Sequence, residues 1–207
     1  MADEGKSYYN WSDAALNQNH SFLLPAMLRA IEALDSRPQR IFDLGCGNGS
    51  LAAEFAKRGY DVTGVDPSEE GIQQAALAYP HLKLYLGSAY DDLPARFGQF
   101  PVVYSAEVVE HLYDPRRFAR CLFGLVADGG LAIVTTPYHG YLKDLLLALT
   151  GKMDSQYTAL WDHGHIKFWS RRTLGILLTE AGFKEIRFQR LGRMAPLARN
   201  LIALARK

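Results

Sequence analysis

Two acids bracket a glycine-rich turn in the first third of this chain. The run Ile41-Phe42-Asp43-Leu44-Gly45-Cys46-Gly47-Asn48-Gly49-Ser50 reads as a short strand, a turn and the start of a helix. Gly45 and Gly47 allow a tight turn and close approach of backbone to a ligand, and Gly49 lets the next helix pack close. A nicotinamide or flavin fingerprint, G-x-G-x-x-G, requires its third glycine where this chain has Ser50. A P-loop requires a Gly-Lys-Ser/Thr that does not follow. Asp43 discriminates further, because a carboxylate directed into the crevice repels a pyrophosphate and attracts an ammonium group. Asp66 ends a second strand, 19 residues beyond Gly47, where an acid can accept hydrogen bonds from both hydroxyls of a ribose. The pair asks for a ligand with a cationic amino acid at one end and a ribose at the other. S-adenosylmethionine has both.

From these residues outward the chain resembles the class I S-adenosylmethionine-dependent methyltransferases. The match runs from Asp43 to Gly49, then through Val65-Asp66-Pro67-Ser68, Gly87-Ser88-Ala89, the segment from Val103 to Leu112, and Asp128-Gly129-Gly130-Leu131. It is closest in motif to the ubiquinone-biosynthesis O-methyltransferase-like (methyltransferase type 11) group. The resemblance implies an α/β fold, a doubly wound and mostly parallel seven-stranded sheet with its last strand antiparallel, which 200–206 can supply. It implies S-adenosylmethionine as cofactor and S-adenosylhomocysteine as product. Asp43, Gly45, Cys46 and Gly47 would surround the amino-acid end, with Asp66, Pro67 and Ser68 at the ribose. Ser88 stands where the family often has Asp, so adenine would be held by backbone contacts at Ser88 and Ala89, with Pro67 and Tyr90 packing on it. Glu107 would lie near the cofactor.

The acceptor side is narrowed by absences. The fourth strand ends in Ser105-Ala106-Glu107 without Asn/Asp-Pro-Pro-Tyr, against amino methylation of adenine or glutamine, and no Pro-Cys pair offers a nucleophile for cytosine. What is present is Glu107-Val108-Val109-Glu110-His111 and, much later, His165. This set resembles that of two O-methyltransferase groups, those of ubiquinone biosynthesis and those acting on small-RNA 2′-hydroxyls, where it is associated with a divalent metal. The plainer alternative, preferred on sequence, makes Glu110 and His111 helix-start and packing residues; the metal stays undecided. His111, His163 and His165 are candidate bases, because imidazole titrates near neutral pH. Tyr138, Tyr141, Tyr157, Trp161, Phe168 and Trp169 suit an aromatic or lipid-like acceptor, or else fill core beneath a long insertion. Leu142, Leu145, Leu146 and Leu149 form a helical stripe, read as a packed face, with peripheral membrane contact the alternative.

Alternating strands and helices must position these groups. Strands are expected at 41–44, 61–65, 82–86, 101–105, 131–135, 184–190 and 200–206. Helices are expected at 21–34, at 50–58, after a Ser68 cap, at 115–127 with a stop at Asp128-Gly129-Gly130, and at 171–181. The chain is expected to be one domain, with residues 1–35 an N-terminal arm and helix and 137–169 an insertion on the substrate side. Its 207 residues carry 23 Lys plus Arg against 22 Asp plus Glu, a net charge of +1 that argues against a general nucleic-acid binder. The runner-up is an RNA 2′-O-methyltransferase, supported by the acid and histidine pattern and by a C-terminal basic run from Lys184 to Lys207. A non-catalytic S-adenosylmethionine-binding protein is the alternative from another class. Cys46 and Cys121 cannot build a disulfide framework, the start is polar, and no apolar run approaches a membrane span, so a cytoplasmic protein is expected.

Overall fold

A computed structural model describes residues 18–157, 159–161, 164–192 and 194–207. The N-terminal arm with Tyr8, Tyr9 and Trp11, and the candidate base His163, lie outside the described residues. The chain enters through α1 (Gln18–Glu32), then alternates β1 (Arg40–Leu44), α2 (Ser50–Ala56), β2 (Asp61–Asp66), α3 (Glu69–Ala78) and β3 (Lys83–Leu86). It continues with α4 (Leu93–Phe97), β4 (Phe100–Ala106), a 3₁₀ turn (Val109–His111), α5 (Pro115–Leu125) and β5 (Val126–Pro137). The insertion holds α6 (Tyr141–Leu149) and α7 (Met153–Tyr157), followed by α8 (Arg171–Glu180), β6 (Lys184–Leu191) and β7 (Asn200–Arg206).

All seven strands form one sheet in the order β3-β2-β1-β4-β5-β7-β6. The pairs β1–β2, β1–β4, β2–β3 and β4–β5 are parallel, whereas β7 runs antiparallel to both β5 and β6. The chain winds outward from β1 to β3 and then crosses back to β4, so the direction of winding switches between β1 and β4. A crevice opens at the carboxyl ends of strands at such a point.

Strand alternation divides the core in two. On one face Ile41, Val102, Tyr104 and Ile133 pack against Leu23, Met27 and Ile31 of α1 and Leu51 and Phe55 of α2. On the other face Phe42, Leu44, Val103 and Val134 pack against Phe118 and Leu122 of α5 and Leu174 and Leu178 of α8. Burial on both faces accounts for the nearly unbroken apolar runs of the central strands.

The observed elements differ from expectation in two places that matter. The segment 126–130 is strand, not the end of a helix: α5 stops at Leu125, and β5 runs through Asp128-Gly129-Gly130. The glycines make a bulge there. Val126 pairs with Phe100 while Leu131 already pairs with Val102, so the intervening β5 residues loop out of register. Gly129 takes φ +72°, and a Cβ on Gly130 would lie 2.8 Å from the carbonyl oxygens of Ala127 and Pro101. The second difference is α6. Leu142, Leu145, Leu146 and Leu149 are all exposed, and the helix buries none of its residues, so the stripe is not a packed face among the described residues.

Candidate active site

The β1–α2 turn is built as the glycine pattern requires. Gly45, Gly47 and Gly49 have φ of +94°, +52° and +74°, a region in which L side chains are strained. A Cβ on Gly45 would lie 2.4 Å from Val108 Cγ2, so the turn packs directly under the segment that follows β4. The amides of Gly45 and Cys46 both donate to Val65 O, at 2.9 and 3.0 Å. These bonds tie the turn to the end of β2. Cys46 is buried, and burial together with Asp43 and Asp66 pushes its thiol well above the ordinary range, so it offers backbone and not a nucleophile.

Asp66 organises the crevice as much as it faces it. Its Oδ2 accepts from the Gly47 amide and its Oδ1 from the Ser68 amide, each at 2.8 Å. Each oxygen keeps a lone pair for a ribose hydroxyl. Burial raises its pKa, and the two amide bonds oppose that rise. Pro67 beside it is exposed, and Ser68 is buried. The Ser68 hydroxyl accepts from the Gly71 amide and caps α3, which leaves its O–H as the group that could reach a ligand.

Asp43 is more enclosed than a crevice-facing carboxylate was expected to be. It is 1% exposed, and Tyr104 Oη donates to its Oδ2 at 2.8 Å. Burial, reinforced by Asp66 and opposed by the Tyr104 bond, pushes its pKa up to about 8. At the expected adenine end the Ser88 amide donates to Asp91 Oδ2 at 2.7 Å, and the Ser88 hydroxyl accepts from the Tyr90 amide while keeping its own proton to donate. Ala89, which is buried, remains the backbone candidate. The Tyr90 hydroxyl accepts from the Asp114 amide, fixing the ring beside this turn.

Glu107, expected near the cofactor, has its carboxylate engaged by protein groups. It adopts φ +58°, and its carboxylate accepts from Thr135 Oγ1 and Asn200 Nδ2, both at 2.9 Å. Both partners belong to strands on the far side of β4 from the glycine turn. Burial, partly offset by these two bonds, pushes its pKa up to about 7.

On that far side the structure assembles Glu110, His111 and His165, with one potential ligand atom from each lying within 4.8 Å of the others. Glu107, the fourth member of the expected set, stands outside this cluster. Glu110 is 1% exposed, and neither oxygen makes a full hydrogen bond. Burial and the nearby Glu107 push its pKa well above the carboxylate range, with Thr136 alongside partly offsetting them. His111 Nδ1 lies 3.1 Å from Gly164 O, which makes Nδ1 the protonated nitrogen and Nε2 the basic one. His165 meets His111 edge-on at 4.9 Å and Trp161 at 5.3 Å. Burial and the neighbouring His111 push its pKa down to about 4, so its ring is neutral near pH 7.

Segment 164–169 is pinned to the 3₁₀ turn and to His139 by four backbone-directed bonds. Ile166 and Lys167 amides both donate to Glu110 O at 2.9 Å, Trp169 Nε1 donates to Val109 O, and the His139 amide donates to Trp169 O. His139 was not singled out by sequence. It is buried against Tyr157 and Phe168, with Asp144 beside it. Nothing in spacing could have found it, because α6 and α7 bring its partners from separate parts of the insertion.

Comparison with known proteins agrees with this geometry. A model of the methyltransferase domain matches residues 15–187. A ubiquinone biosynthesis O-methyltransferase of Caulobacter sp. strain K31 is 40% identical over 126 residues, 59% of this chain and 48% of that protein. The protein of the same description from Psychrobacter arcticus is 32% identical over 155 residues, 70% of this chain and 59% of its own. The chain thus spans about half to three-fifths of these curated relatives' length. A SAM-dependent methyltransferase structure from Archaeoglobus fulgidus superposes with a TM-score of 0.67 at 15% identity, covering 91% of this chain and 94% of that one. Its likeness is one of fold. The matched domain and the acid-bracketed glycine turn together establish that the chain belongs to the S-adenosylmethionine-dependent methyltransferase family.

Proposed function

We propose that this chain transfers the methyl group of S-adenosylmethionine to an oxygen of a small aromatic or lipid-like acceptor. The observation that carries this reading is the Glu110–His111–His165 cluster, which gathers oxygen-activating groups across β4 from the glycine turn. The O-methyltransferase description of the two relatives supports the same class. The exposed leucines of α6 favour an acceptor with an apolar portion.

The cluster fits a divalent cation. A buried carboxylate lacking full hydrogen bonds is costly for a residue that only packs, and it is what an ion would use. His111 is oriented by Gly164 O, the kind of outer contact that fixes the tautomer of a ligating imidazole. One carboxylate and two imidazoles suit zinc or manganese better than magnesium. When bound, such an ion lowers the pKa of a hydroxyl it holds.

The remaining work falls to the chain itself. Asp66 and the glycine turn fix the cofactor, and Trp161, Trp169 and segment 164–169 screen water from the acceptor. The acceptor oxygen displaces the sulfonium in line: an O–CH₃ bond forms, the S–CH₃ bond breaks, and the hydroxyl proton leaves to a neutral imidazole or to solvent. Alignment supplies most of the acceleration because the sulfonium is already activated. His165 is neutral near pH 7, and its one basic nitrogen would either hold the ion or, with no ion bound, accept that proton.

The test follows methyl label into a panel of phenols, alcohols and their amine analogues, with zinc or manganese and with EDTA. Label is expected in methyl ethers, lost by tenfold or more (about 1.4 kcal/mol) with EDTA or in His165→Ala. Label confined to amines contradicts the oxygen acceptor, and cofactor binding without any transfer marks a non-catalytic binder. Activity indifferent to chelation rejects the metal.

A further inference from the structure

Six buried side-chain atoms that make no full hydrogen bond among the described residues lie at the acceptor side of the fold. They are both oxygens of Glu110, Thr136 Oγ1, His139 Nδ1, Asp144 Oδ1 and Asn200 Oδ1. Buried polar atoms are satisfied almost everywhere in folded proteins, so a concentration of unsatisfied ones marks where something polar docks. Glu110 belongs to the cluster already described. His139 and Asp144 form a second one, joined to the first through segment 164–169, since the His139 amide donates to Trp169 O.

The His139 ring is held firmly. It stacks on Tyr157 at 5.9 Å and 25°, meets Phe168 edge-on at 5.1 Å and 76°, and Tyr157 meets Phe168 at 4.8 Å. Its Nδ1 faces Asp144 Oδ1 across 3.8 Å. That gap is too long for a direct hydrogen bond and suits one intervening oxygen at bonding distance from both atoms. Burial, with Lys143 and His165 nearby, holds the imidazole pKa down at about 4, so the pair is not an ion pair near pH 7. A hydroxyl matches both sides at once. It donates its proton to the Asp144 carboxylate and accepts from Nδ1–H of the neutral ring, whereas an ether oxygen can do only the second.

We propose that His139 and Asp144 are positioning residues that hold a hydroxyl group of the acceptor, with Tyr157 and Phe168 as the aromatic wall behind it. The proposal rests on the methyl-transfer reading above and assigns that acceptor a hydroxyl that must be recognised. Its test needs no knowledge of the natural acceptor. Para-hexylphenol and its methyl ether, para-hexylanisole, share ring and tail and differ in the donated proton. Their binding to the full chain, saturated with S-adenosylhomocysteine, is measured by calorimetry for wild type, Asp144→Leu and His139→Phe. Wild type is expected to bind the phenol about tenfold more tightly than the ether. Asp144→Leu should bring the phenol to the level of the ether with the ether affinity unchanged, His139→Phe should weaken both probes, and neither should change S-adenosylhomocysteine affinity. The two variants are independent, and retained S-adenosylhomocysteine affinity certifies the fold of each. Equal binding of the two probes by wild type, no binding of the phenol, a preference surviving in folded Asp144→Leu, or both affinities unchanged in folded His139→Phe overturns the proposal. A variant that changes only the melting temperature shows a purely structural water and also overturns it. Failure of the wild-type chain to bind S-adenosylhomocysteine instead strikes the methyl-transfer reading beneath.

Discussion

Asp43 and Asp66 sit on either side of one glycine turn, yet their surroundings give them different protonation behaviour. Asp43, at a pKa of about 8, keeps a proton that the unfolded chain releases above its ordinary value of 3.8. The native state therefore binds more protons, and this contribution to stability is complete below about pH 4 and lost as pH rises through about 8. A cofactor ammonium beside Asp43 favours the ionised carboxylate, so binding near pH 7 is expected to release up to about one proton. Calorimetry in buffers of different ionisation heat measures this directly. Asp43→Asn should abolish the release, and a wild-type signal independent of buffer would contradict the ammonium contact. At this scale the turn glycines were legible in sequence, because their positive φ depends on chain neighbours. Asp91 and His139 were not legible, because a turn fold-back and two separate helices create their roles. The hydrogen bonds of Glu107 were not legible for a related reason. Its φ of +58° turns the carboxylate to Thr135 and Asn200, and a partner 93 positions away leaves no local signal.

Elements position these residues through a few tight contacts, and the β1–α2 turn is the tightest. Gly45→Ala would put a methyl 2.4 Å from Val108 Cγ2 at φ +94°. The strain should cost about 1–3 kcal/mol, lowering the melting temperature and weakening S-adenosylhomocysteine together. Unchanged melting would show that the turn relaxes and that its glycine is dispensable. Most strands were legible because burial on both faces leaves short apolar runs between turn residues. The boundary between α5 and β5 was not. Asp128-Gly129-Gly130 carries the composition of a helix stop, but here the glycines let backbone loop out against Pro101, and composition does not distinguish a bulge from a cap. The stripe on α6 misled in the opposite sense. Helical spacing of leucines predicts an apolar face but not that another element covers it, and among the described residues this face is open.

Across the whole molecule, the winding switch between β1 and β4 decides where everything else can lie. The glycine turn, Asp66 and the Ser88–Ala89 turn sit at the ends of β1, β2 and β3, while Glu110, His139 and His165 gather beyond β4 and β5. On the proposed function, cofactor and acceptor would meet over the central strands, the arrangement an in-line transfer requires. No helix among the described residues is long and apolar enough to cross a membrane. The division into a cofactor half and an acceptor half depends first on the cofactor occupying the crevice that Asp66 closes. The most direct measurement is the affinity for S-adenosylhomocysteine of wild type and Asp66→Ala, by calorimetry at one pH and salt concentration. Removal of a carboxylate that accepts both ribose hydroxyls and also ties the Gly47 and Ser68 amides should weaken binding by about 2–3 kcal/mol. Equal affinity in the two proteins would place the cofactor elsewhere and contradict the site.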